Sequence, residues 1–284
     1  MTATLMDGKT VAARVRADVA TRVAELAEQS AVRPGLATIL VGDDPASHVY
    51  VASKRKACVA SGMTDHHRHL PAETTQHDLE ATIDEAADDP AVSGILVQLP
   101  LPPHLDSDAA IARIPAGKDV DGLTTVSAGL LSRGQIGLRP CTPAGVVELL
   151  DTYSIPLAGA HVVIVGRSAL VGRPLGQLLL ARDATVTICH SKTQRLAEHT
   201  RQADILIAAA GVRGLIGAEH VRPGATVIDV GIHRTPEGLC GDVDFDQVHR
   251  VAGHLTPVPG GVGPMTIAML LSNTVTAAHA TVSR

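Results

Sequence analysis

The stretch Val162-Val163-Ile164-Val165-Gly166-Arg167-Ser168, running on into Ala169-Leu170-Val171-Gly172-Arg173-Pro174, narrows the possible folds more than any other part of this chain. Four β-branched residues specify a buried strand, a glycine turns it, and a helix follows. A glycine at such a turn lets the backbone approach a pyrophosphate, while the next helix turns its unpaired N–H groups and positive dipole end toward the anion. The spacing departs from G-x-G-x-x-G, because Ser168 stands in place of the second glycine and Gly172 comes one residue late. The surroundings strengthen the reading. Apolar runs recur at Thr185-Val186-Thr187-Ile188, Ile205-Leu206-Ile207-Ala208 and Thr226-Val227-Ile228-Asp229-Val230, each separated by enough chain for a helix. Such alternation implies a parallel, doubly wound sheet. More than half the chain precedes Gly166, and that part is expected to supply the substrate side.

The end of the second strand of this unit discriminates between nucleotides. A carboxylate there suits the ribose hydroxyls of NAD, whereas a cation suits the 2′-phosphate of NADP. The chain reads Cys189-His190-Ser191-Lys192, with no carboxylate, and Arg167 in the glycine turn adds a guanidinium able to fork onto phosphate. NADP is therefore favoured over NAD, with Arg167 and Lys192 as solvated surface charges the alternative.

At 284 residues, 45% of them hydrophobic, the chain is long enough for two domains. A net charge of −5, no Trp, two Tyr and one Phe leave neither a basic footprint nor stacking rings for nucleic acid. The four cysteines, Cys58, Cys141, Cys189 and Cys240, form no C-x-x-C pair, so no zinc ribbon or disulfide framework is indicated and a reducing cytoplasm is expected. The amino terminus lacks a basic flank and apolar core, and no apolar run approaches the ~20 residues of a membrane helix. Secretion and membrane insertion are not expected.

In the first half, Val11, Val15, Val19, Val23 and Leu26 fall at helical spacing between Gly8 and Glu28, Pro34-Gly35 interrupts, and a strand follows from Leu36 to Val41. Gly42-Asp43-Asp44-Pro45-Ala46-Ser47 supplies turn and capping residues for a helix starting near Ala46 and ending at Ala60 before Ser61-Gly62. Tyr50 and Lys54 lie on it one turn apart and share a face. The Tyr-x-x-x-Lys spacing matches that of short-chain dehydrogenases, but there the pair follows the nucleotide turn, and here it precedes Gly166 by more than a hundred residues. An amine in a partly dry cleft acquires a depressed pKa and exchanges protons near neutrality, which suits adding water to an electrophilic carbon. A second strand, Gly94-Ile95-Leu96-Val97, delivers the amide of Gln98 to the carboxyl edge of a sheet, where open α/β sheets bind ligands. Lys118-Asp119-Val120-Asp121-Gly122 sets acidic residues beside a turn glycine that could face the same cleft. Taken singly, Lys54 reads as well as a solvated lysine, Gln98 as a loop cap and Asp121 as a turn former.

Together these segments make the chain resemble the bifunctional methylenetetrahydrofolate dehydrogenase/methenyltetrahydrofolate cyclohydrolase family. The matching runs are Val41 to Ser47 leading to Tyr50-Val51-Ala52-Ser53-Lys54, Val97-Gln98-Leu99-Pro100-Leu101-Pro102, Lys118 to Gly122, and Pro140-Cys141-Thr142-Pro143. Gly166-Arg167-Ser168 with Val171-Gly172, His190-Ser191-Lys192-Thr193, and Pro257-Val258-Pro259-Gly260-Gly261-Val262-Gly263-Pro264-Met265-Thr266 complete the set, the last being the most specific.

The resemblance implies two α/β domains with a cleft between them. Residues 1–140, rejoined by a final helix within 264–284 that begins at Pro264 and runs through Leu271, form a folate-binding catalytic domain. Residues 141–263 form a Rossmann-type NADP-binding domain. It implies NADP-dependent oxidation of 5,10-methylene- to 5,10-methenyl-tetrahydrofolate, then hydrolysis to 10-formyl-tetrahydrofolate. Lys54 would promote water attack on the methenyl carbon, Gln98 would tune that lysine, Tyr50 would position the folate, and Asp121 would accept the N–H groups of the pterin edge. Gly166, Arg167 and Ser168 would contact the cofactor, Arg167 and Ser191 its 2′-phosphate, and Ile232 the nicotinamide or ribose. Pro259, Gly260 and Gly261 would pass close to bound folate or cofactor. A cytoplasmic homodimer serving one-carbon metabolism and purine biosynthesis completes what the resemblance implies.

One departure is Ser127, where the family leads us to expect asparagine; it puts local loop geometry or folate affinity in question. Asp65-His66-His67-Arg68-His69 has metal-ligand chemistry but no matching distant ligand set, so it reads as a solvated loop and no metal is expected. Two other readings stand beside the folate enzyme: a shikimate-dehydrogenase-like NADP oxidoreductase, which shares the domain order, and a non-catalytic folate- or nucleotide-binding protein.

Overall fold

In the computed structural model, which describes residues 2–282, strands form where β-branched runs are bounded by glycine, proline or turn residues. The chain opens on β1 (Thr4–Leu5) and α1 (Gly8–Ser30), followed by β2 (Gly35–Val41) and α2 (Pro45–Ala60). Next come β3 (Thr64–Asp65), β4 (Arg68–Leu70), α3 (Gln76–Asp88), β5 (Gly94–Val97) and α4 (Ser107–Ala112). Then α5 (Thr125–Ser132) and α6 (Cys141–Thr152) lead to β6 (His161–Val165) and α7 (Gly172–Leu180), the expected strand, turn and helix. The alternation continues through β7 (Thr185–Cys189), α8 (Leu196–Thr200), β8 (Ile205–Ala208) and β9 (Thr226–Asp229). A hairpin of β10 (His233–Thr235) and β11 (Gly238–Cys240), then α9 (Phe245–Val248), β12 (His254–Leu255) and α10 (Val262–Val282), complete it. Among the described residues, no helix is long and apolar enough to cross a membrane.

Two units separate: the residues up to Ala12 together with Thr142–Thr266, and Ala13–Cys141 together with the residues from Ile267 onward. This division differs from 1–140 plus 264–284 against 141–263 mainly at the amino terminus. There β1 pairs in parallel with β12, Thr4 opposite His254 and Leu5 opposite Leu255, and so belongs to the sheet of the second half. A two-residue strand carries no periodicity from which such a long-range pairing could be read.

The unit containing Gly166 has a six-stranded parallel sheet in the order β7-β6-β8-β9-β12-β1. The inner strands β6, β8 and β9 are almost continuously buried because both faces are covered, and Val163, Leu206, Val227 and Leu255 are fully buried in one cluster, whereas the edge strands β7 and β1 are partly exposed. β6 has β7 on one side and β8 on the other, so the chain reverses its direction of travel across the sheet there. The carboxyl ends of β6 and β8 flank that switch point, where doubly wound sheets open a crevice for ligands.

In the other unit β2 is central, with β5 along one edge and β3 then β4 in succession along the other, all parallel. Every residue of β2 is buried. Alternation sends Leu36 and Leu96 into a cluster with Val19 and Val23 of α1 and Leu270, Leu271 and Val275 of α10. Ile39, Val41, Ile95 and Val97 point the opposite way, onto Leu79 and Ile83 of α3 and Ala110 of α4. The carboxyl-terminal helix thus returns to this unit. It does not stop at Leu271 but continues to Val282, because its next polar residues find partners: Asn273 Nδ2 donates to the Val120 and Arg139 carbonyls, each at 2.8 Å, and the Thr274 hydroxyl to Leu270 O.

The run Asp65 to His69 is not a solvated loop. Asp65 ends β3 and pairs with Arg55 at 2.7 Å, His67 Nδ1 meets the Thr38 hydroxyl at 2.9 Å, and His69 sits in β4 opposite Leu40. Parallel pairing with the buried β2 supplies the order that the polar composition conceals.

Candidate active site

The lysine on α2 is held from both ends of its surroundings. Asp44 caps the helix, its carboxylate accepting from Ser47 N at 2.7 Å, and Pro45 occupies the first turn. Two and a half turns on, Lys54 is only 7% exposed, and its Nζ donates to Gln98 Oε1 at 2.9 Å. Gln98 extends the β5 ladder, its backbone N–H donating to Ile39 O at 2.8 Å. Its side-chain Nε2 donates to Leu99 O at 2.6 Å, which leaves the amide oxygen facing the lysine.

Asp121 comes from the turn after an isolated parallel bridge between Ile95 and Asp119. Asp119 is the structural carboxylate of that turn, accepting from Leu123 N at 3.1 Å and Thr124 N at 2.8 Å. Gly122 has φ +68°, and a Cβ there would strike the Arg139–Pro140 peptide. The turn formers are therefore Asp119 and Gly122.

Burial lowers the pKa of Lys54 from the ordinary lysine value, with Asp121 pulling the other way. Burial likewise raises Asp121, opposed by Lys54 and by a hydrogen bond with Cys141. The Cys141 thiol is pushed well up, first by burial and then by the charge of Asp121; it also donates to Val120 O at 3.2 Å. Cys141 entered the sequence reading only through the cysteine inventory and the Pro140-Cys141-Thr142-Pro143 run. Its place beside Asp121 follows from a turn and a helix start that are twenty residues apart. Tyr50 lies one turn before Lys54 on α2 and is half-buried. A lowered amine pKa and an orienting amide are properties suited to proton exchange.

In the other unit, a cavity of about 490 Å³ opens at the switch point and is lined by Gly166, Arg167, Ser168, His190, Ser191 and Ala209 among others. This size lies within the range of small-molecule sites. Gly166 has φ +129°, and any Cβ would collide with the Ala209 carbonyl, so the turn after β6 tolerates no side chain. A Cβ on Gly172 would strike the Gly166 carbonyl, so the late glycine serves close packing of α7 under the turn. Ser168 takes the missing glycine's place by accepting from Val171 N at 3.1 Å. The turn after β7 is fixed by His190 N donating to the Thr193 hydroxyl at 2.9 Å, which presents Ser191 to the cavity.

Four of the five expected cofactor residues, Gly166, Arg167, Ser168 and Ser191, are thus brought together, whereas Ile232 lies outside this cavity with 45% exposure. Pro259, Gly260 and Gly261 belong to the unit that holds this cavity. Their turn is braced by the start of α1, where Lys9 N donates to Gly260 O at 3.2 Å. Ser127 is buried in the first turn of α5, its N–H donating to the capping Thr124 hydroxyl at 3.1 Å.

A glycine-cradled cavity at the switch point of a doubly wound sheet, with a second α/β unit carrying a buried lysine–amide pair, defines a dinucleotide-dependent enzyme that also handles protons. Residues 6–121 match the family model for the tetrahydrofolate dehydrogenase/cyclohydrolase catalytic domain, and residues 140–282 match that for the NAD(P)-binding domain of the same enzymes. The chain belongs to the tetrahydrofolate dehydrogenase/cyclohydrolase family. It is 63% identical to "Bifunctional protein FolD 2" of Frankia casuarinae over 99% of this chain and 97% of that one. It is 56% identical to "Bifunctional protein FolD" of Burkholderia pseudomallei over 98% of each. Among solved structures, the methylenetetrahydrofolate dehydrogenase/cyclohydrolase of Campylobacter jejuni superposes with a TM-score of 0.95 at 46% identity, covering 98% of this chain and 99% of that one. The Trypanosoma brucei enzyme, solved with NADP cofactor and inhibitor, gives 0.96 at 40% identity, covering the whole of both. Family membership sets aside the shikimate-dehydrogenase-like alternative.

Proposed function

We propose that this protein oxidises 5,10-methylene-tetrahydrofolate to 5,10-methenyl-tetrahydrofolate with NADP and hydrolyses the product to 10-formyl-tetrahydrofolate. The observation that carries the residue assignment is the Lys54–Gln98 pair: a buried amine with lowered pKa, oriented by an amide oxygen.

In the hydrolysis, the unprotonated form of Lys54 takes a proton from water as the oxygen bonds to the methenyl carbon, and returns it to the folate nitrogen as that carbon–nitrogen bond breaks and the formyl C=O forms, the remaining hydroxyl proton passing to solvent. Gln98 accepts from the amine and holds its lone pair in one direction. Asp121 accepts the paired N–H groups of the pterin edge, and Tyr50, one turn along α2, orients the folate. Cyclohydrolase chemistry thus centres on a lysine that the fold has withdrawn from water.

The oxidation asks less of the chain. A hydride leaves the methylene carbon as the adjacent nitrogen lone pair forms the new C=N bond, so no protein base is required. Bound NADP supplies the hydride acceptor. The residues at the switch point fit it: Gly166 would admit backbone against the pyrophosphate, Ser168 would line the turn, and Arg167 and Ser191 would meet the 2′-phosphate, while Ile232, outside this cavity, would reach only the nicotinamide or ribose end. Pro259, Gly260 and Gly261 let backbone pass close to ligand. The same reading makes the protein a cytoplasmic homodimer that supplies formyl groups for purine synthesis. Light scattering on the purified chain checks the dimer.

The test is to follow methenyl formation from methylene-tetrahydrofolate with NADP or NAD, and separately methenyl hydrolysis without nucleotide. Both activities, with oxidation faster on NADP, are expected. Folate binding with neither turnover would leave a binding protein.

A further inference from the structure

Outside both sites, three groups converge at the carboxyl edge of the smaller sheet. Asp43 follows β2, His48 lies in the first turn of α2, and His69 is on β4. One carboxylate oxygen, Asp43 Oδ1, stands 3.3 Å from His48 Nε2 and 3.5 Å from His69 Nε2. The two rings meet edge to face with centroids 5.0 Å apart, and the three ligand atoms lie within 4.8 Å of one another. The Gly42 carbonyl, 3.0 Å from His69 Nε2, is turned to the same spot.

Tetrahedral zinc with bonds near 2.0–2.2 Å sets its ligand atoms about 3.3–3.5 Å apart. The two carboxylate–imidazole separations already have that value, and the two imidazole nitrogens lie within 4.8 Å of each other. Their backbone is fixed independently: His69 by pairing with the buried β2, and the turn into α2 by the Asp44 cap. Asp44, not Asp43, supplies the helix cap.

We infer that Asp43, His48 and His69 form a binding site for a divalent transition metal of the zinc class, with the Gly42 carbonyl or water as the fourth ligand. Two imidazoles and one carboxylate select zinc, nickel, cobalt or copper over magnesium and calcium, which demand oxygen shells. Binding displaces the imidazole proton now shared with the Gly42 carbonyl. The ion ties the amino end of α2, the helix that carries Tyr50 and Lys54, to β4. It takes no part in the folate chemistry, and the proposal stands whether or not that chemistry is as described.

The test uses full-length, chelator-treated protein titrated with zinc chloride by calorimetry, and with cobalt by its visible absorption. The wild type is expected to bind one ion, show the intense visible band of tetrahedral cobalt, and melt at higher temperature with zinc. Asp43→Asn, His48→Ala and His69→Ala should each weaken binding at least tenfold and abolish the melting shift, with metal-free melting and oxidation unchanged. Because the chain has 14 histidines, the double variant His48→Ala/His69→Ala is decisive. Zinc binding that persists there, or no binding by the wild type up to on the order of 100 µM, overturns the site.

Discussion

Lys54 and Gly166 mark sites made in different ways. Around Lys54 the chemistry depends on polar side chains: a buried amine and a nearby carboxylate whose proton affinities are altered by burial, and an amide that orients the amine. Around Gly166 everything depends on a side chain that is missing, since a single carbon there would fill the space the backbone leaves against Ala209. The first site is electrostatic and sensitive to pH; the second is steric and sensitive to volume. A chain that performs a proton-dependent hydrolysis and a proton-independent hydride loss has use for both.

Separating the two sites by mutation is the sharpest way to break this contrast. Lys54→Met should cut methenyl hydrolysis by about 10²–10⁴-fold while NADP affinity, read by fluorescence titration, stays at the wild-type value. Gly166→Ala should do the reverse, weakening NADP on the order of 100-fold and lowering stability by ~1–3 kcal/mol through backbone strain, with nucleotide-free hydrolysis retained. Loss of both activities in either variant would mean that the sites are not independent. A smaller effect is expected from Arg167→Ala: a rise of about tenfold in the NADP Michaelis constant, the scale of one charge-assisted hydrogen bond, and little change with NAD. Equal losses with both nucleotides would remove Arg167 from the 2′-phosphate.

The least of the expected effects concerns stability in the nucleotide unit. Burial raises Asp229 to about 6, although the backbone N–H groups of Asp242, Val243 and Gly231 favour its charge. Between the unfolded carboxylate value and about 6 the folded chain holds a proton that the unfolded chain has released, so this contribution is full at low pH and is lost as pH rises through about 6. Denaturant midpoints across that window should carry this downward component, and Asp229→Asn should flatten it. An unchanged slope in the variant would assign the titration elsewhere.

The two sites also differed in how well the sequence displayed them. The switch-point turn was legible because its determinants are adjacent: β-branched residues, one glycine, then a helix. Even there Gly172 was read by spacing against a motif, when its actual duty is to let α7 pack beneath the Gly166 carbonyl. Lys54 and Gln98 are 44 positions apart, and pairing of β5 with β2 helps to join them; helix spacing and the strand end marked each as a candidate, but only the family resemblance linked them. Cys141 beside Asp121 was hidden for the same reason. β1, two residues long, and the β4 strand under the histidine run were invisible because their order comes wholly from partners distant in sequence. The full length of α10 was missed where Asn273 and Thr274 break an apolar pattern yet satisfy their polar atoms inside the fold.

The most direct test is the pH dependence of methenyl hydrolysis at saturating folate, without nucleotide and corrected for the spontaneous reaction. If burial makes Lys54 the proton acceptor, the turnover rate is high above an apparent pKa below the ordinary lysine value of 10.5 and falls tenfold per pH unit beneath it. Lys54→Met should abolish that limb. A rate that ignores pH, or the same profile surviving in Lys54→Met, would contradict the account.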